Sequence, residues 1–331
     1  MKELEEIGVS IVCLAYNAEK YIAQCLEGFL KQNCNFKYEI FVHDDASTDN
    51  TASIIQKYEK KYPESIHAIY QKENQYSKGV RIDYKYIYPY VKGKYIALCE
   101  GDDFWRDENK LQKQYDALEI HPECHMCIHR VQAVYEDGIK KDMQYPNFRL
   151  NTGVIESKDF IDYNCTNDYV FQTSSYFMLK EDEFEFQNEN PIFKQVSATG
   201  DLARMFYFAT RGDIFYIDDI MSSYRHGSTS SDARKEMDGK TEEKLQIHFN
   251  KQIKMMEEFD KYTSGKYHQL CERKINGYLF DKAVRNKEYK EMLKCQYKFF
   301  LKKYSVKVRI KLVGYAYFPK IVKIYDKLKQ R

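Results

Sequence analysis

Apolar runs and helical-period stripes alternate along the first 120 or so residues. Val9–Ala15 is a continuous, β-rich apolar run and reads as a buried strand. Ala18–Gln32 places Tyr21, Ile22, Cys25, Leu26, Phe29 and Leu30 at the spacing of an amphipathic helix. Tyr38–Val42 predicts a second strand, and Asn50–Tyr62 a second helix closed by Pro63. Ile66–Tyr70 is a third strand, Asn74–Gly79 a loop, and Val80–Tyr90 helical with Pro89 near its end. Lys94–Cys99 gives the fourth strand and Glu108–His121 the helix after it. Strand–helix alternation of this kind predicts a mostly parallel α/β sheet with helices on both faces.

The pattern then loosens. Met126–Tyr135, Ser174–Leu179 and Ile214–Ile217 read as strands, and Asp201–Thr210 as a helix beginning just after Gly200. Asp218-Asp219 follow the last strand, and Ser222–Ser231, "SSYRHGSTSS", reads as a polar loop. Beyond the linker 231–240 the period is helical. Leu245, Phe249, Ile253, Met256 and Phe259 share one face, and Tyr289, Met292, Leu293, Tyr297 and Phe300 share another.

Right-handed crossovers bring the ends of strands one, two and four to one sheet edge, where open α/β sheets bind ligands. All three ends are polar turns: Tyr16-Asn17, the run from His43 through Asp44-Asp45 to Asp49, and Glu100–Asp103. The last, within "ALCEGDDFW", sets Glu100, Asp102 and Asp103 around Gly101, which permits a tight turn. Clustered carboxylates suit a hard divalent cation such as Mg²⁺ or Mn²⁺ that bridges to substrate phosphates. A solvated acidic turn is the plainer alternative. Likewise Asp44-Asp45 with Ser47, Thr48 and Asp49 would serve simply to cap the next helix, and Asp201 to complement a helix N-terminus.

Composition narrows the class. The 331 residues are 43% hydrophobic and 15% aromatic, enough to fill a core. No run approaches the length of a membrane-spanning helix. The start, "MKELEEIGVS", is acidic and unlike a secretory leader. Nine scattered cysteines, an odd number, read as reduced thiols of a cytoplasmic protein. Within "HPECHMCIHR" the Cys124–Cys127 pair lacks a second ligand pair at zinc-finger spacing, and Met126-Cys127-Ile128 reads as strand. The net charge of +2 hides a split: residues 241–331 hold 23 Lys+Arg against 10 Asp+Glu. No nucleic-acid-binding motif accompanies that charge. From Lys302 to Arg331 ten basic residues stand against one acid, Asp326, and within that tail Pro319 opens an amphipathic stretch whose apolar face is Ile321, Val322, Ile324, Tyr325 and Leu328. This is the pattern of an interfacial helix on the inner face of an anionic membrane. Packing on the chain's own α/β domain and a homodimer contact are the alternatives.

The segments "VSIVCLAYNAEKYIAQCLEGFLKQ" (9–32), "YEIFVHDDASTDNT" (38–51) and "GKYIALCEGDDFW" (93–105) resemble the family 2 glycosyltransferases, which have the GT-A fold. The resemblance extends through "GDLARMFYF" (200–208) and "SSYRHGSTS" (222–230). It implies a nucleotide-sugar donor, usually UDP-linked, a divalent metal, and inversion at the anomeric carbon. Ala15, Tyr16 and Asn17 match the turn that meets the nucleotide, and Asp44 and Asp45 the pair that contacts base and ribose. Glu100, Gly101 and Asp102 match a DxD motif with Glu in its first place, Asp102 being the metal ligand, with Glu100, Asp103 and His226 as further candidates. Asp201 matches the general base, although Gly200 stands where the family has Glu. Arg225 and His226 match the loop over the donor diphosphate.

These expectations define a catalytic domain over 1–240, with a nucleotide-sugar half at 1–105 and an acceptor and base half at 106–240. A basic helical region follows at 241–331. The expected reaction is transfer of a sugar to a saccharide or lipid-linked saccharide acceptor in bacterial surface polysaccharide synthesis. Two alternatives stand beside it. One is a nucleotide-sugar-binding subunit without catalysis, which Gly200 keeps open. The other is a sugar nucleotidyltransferase, which would want a Gly-rich phosphate loop after the first strand. A nicotinamide oxidoreductase is disfavoured, since no G-x-G-x-x-G follows that strand.

Overall fold

The computed structural model describes residues 6–135, 143–167, 170–226, 242–320 and 322. The first half follows the alternation read from the sequence. It runs β1 (Ile7–Ala15), α1 (Ile22–Leu30), β2 (Lys37–Asp44), α2 (Thr51–Lys61), β3 (Ile66–Tyr70) and β4 (Tyr95–Glu100). Next come β5 (Phe104–Trp105), α3 (Lys110–Ile120) and β6 (Cys124–Tyr135). The less regular middle gives β7 (Gln144–Tyr145), β8 (Gly153–Ile155), α4 (Ser157–Thr166), β9 (Phe177–Leu179) and α5 (Lys180–Glu189). It continues with α6 (Ile192–Val196), α7 (Gly200–Arg211) and β10 (Asp213–His226).

The strands form one sheet in the order β3-β2-β1-β4-β9-β6-β10-β5, with β7 beside β6 and β8 beside β10. Pairings β1–β2, β1–β4, β2–β3 and β6–β10 are parallel, and β9 is antiparallel to both β4 and β6. Register places Ala15 opposite Asp44 and Leu14 opposite Glu100, so three polar turns leave the sheet side by side. The core beneath them joins Val9, Ile11 and Cys13 of β1 to Ile22, Leu26 and Phe29 of α1, all fully buried. All nine cysteines are free thiols, and Cys124 and Cys127 lie within a strand.

Several expectations are corrected. Val80–Tyr90 is not a regular helix. A π turn at Asp83–Ile87 passes into a 3-10 turn at Tyr88–Tyr90, where Pro89 supplies no N–H for an α-helical bond. Ser174–Leu179 begins as a 3-10 turn at Thr173–Ser175, held by the Ser175 hydroxyl donating to Gln172 O at 2.7 Å. The strand read at Ile214–Ile217 continues to His226. Asp218-Asp219 fall at a register irregularity inside it, and Ser222 and Ser223, expected in a loop, are fully buried between β5 and β6. β5, β7, β8, α4 and α5 carry no strong period and were not anticipated.

The chain divides into two compact units. One comprises Met1–Asn190 and Arg204–Gly239, the other Pro191–Ala203 and Lys240–Arg331. The short segment Pro191–Ala203, expected in the first domain, groups with the later helices. Phe193 is almost fully buried there, packing edge-on against Phe259 at 5.4 Å and Tyr262 at 5.1 Å. The second unit contains α8 (Glu242–Tyr262), α9 (His268–Arg285), α10 (Tyr289–Met292), α11 (Lys298–Leu301) and α12 (Val306–Tyr317). Leu245, Phe249, Met256 and Phe259 are buried along α8. The single helix read over 289–300 is broken at Lys294, whose ψ of 151° is extended, and a 3-10 turn at Cys295–Tyr297 seats Tyr297 against Phe280. Pro319 and Lys320 are helical. The linker 231–240 and most of the predicted interfacial face, Ile321 and residues from 323 on, lie outside the described residues. Among the described residues no helix is long and apolar enough to cross a membrane.

Candidate active site

The turns after β1 and β2 are stitched together by hydrogen bonds between side chains and backbone. Asn17, in the left-handed region at φ 48°, accepts from Thr48 N–H through Oδ1 at 2.8 Å. Its own N–H donates to Ser47 Oγ at 2.9 Å. Ala18 N–H donates to Thr51 Oγ1 at 2.7 Å, and Glu19 N–H to Asp49 Oδ2 at 3.1 Å. The Asp45 N–H donates to Ala15 O at 3.0 Å. The polar run expected to cap α2 thus also fixes the shape of the β1 turn. Tyr16 projects from it, 37% exposed.

The two adjacent aspartates differ in use. Asp44 is buried and accepts from Ser47 N–H at 3.2 Å and Ser47 Oγ at 2.5 Å. Burial pushes its carboxyl above the usual range. Asp45 accepts from Gln75 N–H at 2.8 Å on one oxygen and from Tyr76 N–H at 3.0 Å on the other. It therefore shapes the 74–79 turn. His43, fully buried beside them, has Nε2 at 3.0 Å from Gln71 Nε2 and a pKa lowered to about 4 by burial.

The carboxylate turn fits tightly against β1. Gly101 N–H donates to Leu14 O at 2.8 Å, and a Cβ at Gly101 would stand 2.9 Å from Ala15 Cβ. Only glycine lets the turn approach so closely. Asp103 N–H closes it onto Glu100 O at 3.0 Å. Asp103 is 1% exposed; its Oδ1 accepts from Arg225 N–H at 2.9 Å, while its buried Oδ2 has no hydrogen-bond partner among the described residues. Burial, then the neighbouring Asp102 and Glu100, raise its carboxyl well above the ordinary value.

Arg225 holds this turn from β10. Its Nε donates to Asp102 O at 2.9 Å and its Nη2 to Gln24 Oε1 at 3.0 Å. The guanidinium lies 4.5 Å from the Tyr21 ring centre and 5.3 Å from that of Phe104. His226, next along the strand, is buried among tyrosines. Its ring stacks on Tyr135 at 4.7 Å, and Nε2 stands 3.0 Å from the Tyr145 hydroxyl. On the other side of the turn, Trp105 meets Phe29 edge-on at 4.6 Å. The buried Lys110 ammonium lies 3.9 Å over the Trp105 ring and donates to Gln114 Oε1 at 2.7 Å. Burial lowers the Lys110 pKa to about 7.

Ala15, Tyr16, Asn17, Asp44, Asp45, Glu100, Gly101, Asp102, Asp103 and Arg225 are thus gathered by three strand ends and the clamp from β10. Asp201 stands in the first turn of α7, within the stretch that groups with the second unit. Sequence reasoning missed Gln24, Tyr21 and Phe104, whose only signal was membership of an amphipathic helix and an apolar pair. It also missed a buried network in which Arg204 donates to Glu183 Oε2 at 2.9 Å and to Asp83 Oδ2 at 3.1 Å, joined by the Tyr88 hydroxyl on Glu183.

Among the described residues no group of three or more His, Cys, Asp or Glu side chains is arranged to hold a metal ion. Mg²⁺ and Mn²⁺ do not require such a cage; Mg²⁺ in particular takes one or two carboxylates and completes its shell with water and substrate phosphate. The Asp102–Asp103 turn fits that use, with hard oxygen donors and an unpaired buried Asp103 Oδ2.

The family model of glycosyl transferase family 2 matches residues 10–181, more than half of the chain. The chain belongs to glycosyl transferase family 2, and its fold is that of the GT-A glycosyltransferases. An uncharacterized protein of Mycobacterium tuberculosis is 40% identical over 47% of this chain and 45% of its own length. The putative teichuronic acid biosynthesis glycosyltransferase TuaG of Bacillus subtilis is 31% identical over 40% of this chain and 50% of its own. The chain therefore spans about half the length of the curated relatives it matches. The crystal structure of Staphylococcus aureus TarS 1–349 with UDP-GlcNAc superposes with a TM-score of 0.60 at 16% identity, covering 88% of this chain and 78% of that one.

Proposed function

We propose that this chain is an inverting glycosyltransferase that moves a sugar from a nucleotide sugar, UDP-linked, to an acceptor hydroxyl in bacterial surface polysaccharide synthesis. The observation that carries the reading is the convergence of the stitched β1 and β2 turns with the carboxylate turn at one sheet edge. Family membership supports it. So do the names of relatives, among them TuaG and a UDP-Glc:alpha-D-GlcNAc-diphosphoundecaprenol glucosyltransferase of Escherichia coli, 32% identical over 35% of this chain and 42% of its own length.

In this reading Ala15–Asn17, Asp44 and Asp45 form the nucleotide side of the site. Asp45 acts by shaping the 74–79 turn rather than by offering a free carboxylate. Asp102, with Glu100 and Asp103 near it, holds a divalent cation that would neutralise the charge gained by the leaving diphosphate. Arg225 keeps those carboxylates in place, its Nε and Nη2 already engaged with Asp102 O and Gln24. Asp201 accepts the proton of the attacking acceptor hydroxyl. The acceptor class is a saccharide or lipid-linked saccharide.

The test is calorimetry of the purified chain with nucleoside diphosphates, with and without Mn²⁺, repeated on Asp102→Ala. UDP binding that requires Mn²⁺ and vanishes in the variant is the expected result. Absence of binding to every diphosphate, with or without metal, would remove the donor site. One observation favours a second reading, a donor-binding subunit without turnover: at Gly200, where the family has Glu, the position opens on empty space within 4 Å. Sugar release or transfer from a bound donor decides between them.

A further inference from the structure

Helix α12 has two apolar faces, and among the described residues one is packed and the other is exposed. Leu312 joins the cluster of Phe280, Met292 and Tyr297, Ala316 is buried, and the Tyr315 ring stacks on Tyr289 at 4.8 Å. Val306, Ile310, Val313 and Tyr317 recur at i, i+4, i+7 and i+11 and therefore share a different face. They are 62%, 67%, 42% and 59% exposed. Phe318, which follows at once, is 59% exposed. Single exposed apolar residues need no explanation, but a continuous stripe of them marks an interaction surface.

The charge around the stripe identifies what it meets. From Met292 to Lys320 the chain has eight Lys and Arg and no Asp or Glu. Lys302, Lys303, Lys307, Lys311 and Lys320 are exposed. Lys307 and Lys311 follow Val306 and Ile310 by one residue each and so run along one flank of the stripe. A second copy of this face would bring two lysine-rich surfaces together. An anionic bilayer instead accepts both features: apolar side chains enter the boundary between headgroups and acyl chains, and lysines meet the phosphates.

We propose that α12 docks this chain on an anionic lipid bilayer, lying in the interface with Val306, Ile310, Val313 and Tyr317 inserted. The 12-residue helix is about 18 Å long, enough to lie along a surface and too short to span one. This goes beyond the catalytic reading and does not depend on it. Within the basic tail 302–331 it places the contact on a helix before Pro319 that is anchored by its opposite face.

The test is cosedimentation of the full chain with phosphatidylcholine vesicles, with and without added phosphatidylglycerol. Wild type should bind the phosphatidylglycerol vesicles, and salt should weaken that binding. Ile310→Ser with Val313→Ser should reduce partition roughly tenfold. Lys307→Gln with Lys311→Gln should reduce it and flatten its salt dependence. All four side chains are exposed, so melting temperatures should stay at the wild-type value and report intact folding. Failure of wild type to bind, or unchanged partition in both double variants, overturns the proposal. So does a wild-type dimer that the Ile310 and Val313 changes dissociate, since the occupant is then a second copy. Binding of UDP without binding of vesicles would sink this inference and leave the catalytic reading standing.

Discussion

The main-chain N–H of Arg225 donates to Asp103 Oδ1 at 2.9 Å, joining the end of β10 to the carboxylate turn after β4. The same residue's Nε holds Asp102 O, so both aspartates of the turn depend on a strand more than 100 residues later. Replacing Asp103 by Ala leaves a partly buried N–H without its acceptor and should cost about 1–3 kcal/mol, read from denaturant unfolding. Asp103→Asn keeps an acceptor and should cost less. Because Arg225 acts by stacking and by a forked set of donors, Arg225→Lys should not restore it. Arg225→Met and Gln24→Ala should each weaken Mn²⁺-dependent UDP binding, Arg225→Met by roughly tenfold. A normal apparent Mn²⁺ affinity in Arg225→Met, measured at saturating UDP, would show that the turn does not rely on this clamp.

Gly101→Ala tests the close approach of that turn to β1. The new Cβ would meet Ala15 Cβ at 2.9 Å, and neither backbone has slack, since Gly101 N–H is bonded to Leu14 O. A cost of about 1–3 kcal/mol in stability is expected, the usual range for overpacking. UDP affinity should fall with it, because the carboxylates must move outward. Wild-type melting temperature and affinity together would refute the tight fit.

Lys110 predicts a pH dependence of stability. Burial lowers its folded pKa to about 7, well below the 10.5 that is ordinary for a lysine and holds in the unfolded chain. Below pH 7 both states carry the proton and the cost of the buried ammonium is present in full. Between about pH 7 and 10.5 the unfolded chain binds more protons, so stability should rise with pH by up to about 1.4 kcal/mol per unit. Lys110→Met should lack this rise. Trp105 is the sole tryptophan and lies 3.9 Å from the Lys110 ammonium, so its fluorescence should titrate near neutral pH in wild type and not in the variant. Equal slopes of stability against pH in the two proteins would contradict the assignment.

Asp201→Asn separates binding from turnover. As the proposed general base, Asp201 should account for about 10²–10⁴-fold in rate. Transfer should therefore fall by that factor while calorimetric UDP binding stays at the wild-type affinity. Wild-type transfer in Asp201→Asn would assign the base elsewhere.

What the amino-acid order decided by itself was local. Val9–Ala15, Tyr38–Val42 and Lys94–Cys99 are short apolar runs ending in polar turns, and each forms a strand, the first pairing in parallel with the other two. The carboxylates after β4 and the glycine among them were legible because four adjacent residues carry the whole signal. Tertiary structure decided the rest. "SSYRH" has the composition of a loop, yet it is strand, because β5 and β6 supply partners on both edges and bury Ser222 and Ser223. Arg225 has the chemistry of a phosphate ligand, but Gln24, 201 positions earlier, and the Tyr21 ring claim its guanidinium. Asp45 looks like a free carboxylate until Gln75 and Tyr76 bring two N–H groups to it. The 289–300 stripe has helical period, yet the pocket around Phe280 takes Tyr297 only after the helix breaks at Lys294. Periodicity specifies which way a segment prefers to fold. Which donor, acceptor or cavity it meets depends on residues far away in sequence, whose approach the chain order alone does not encode in any short pattern.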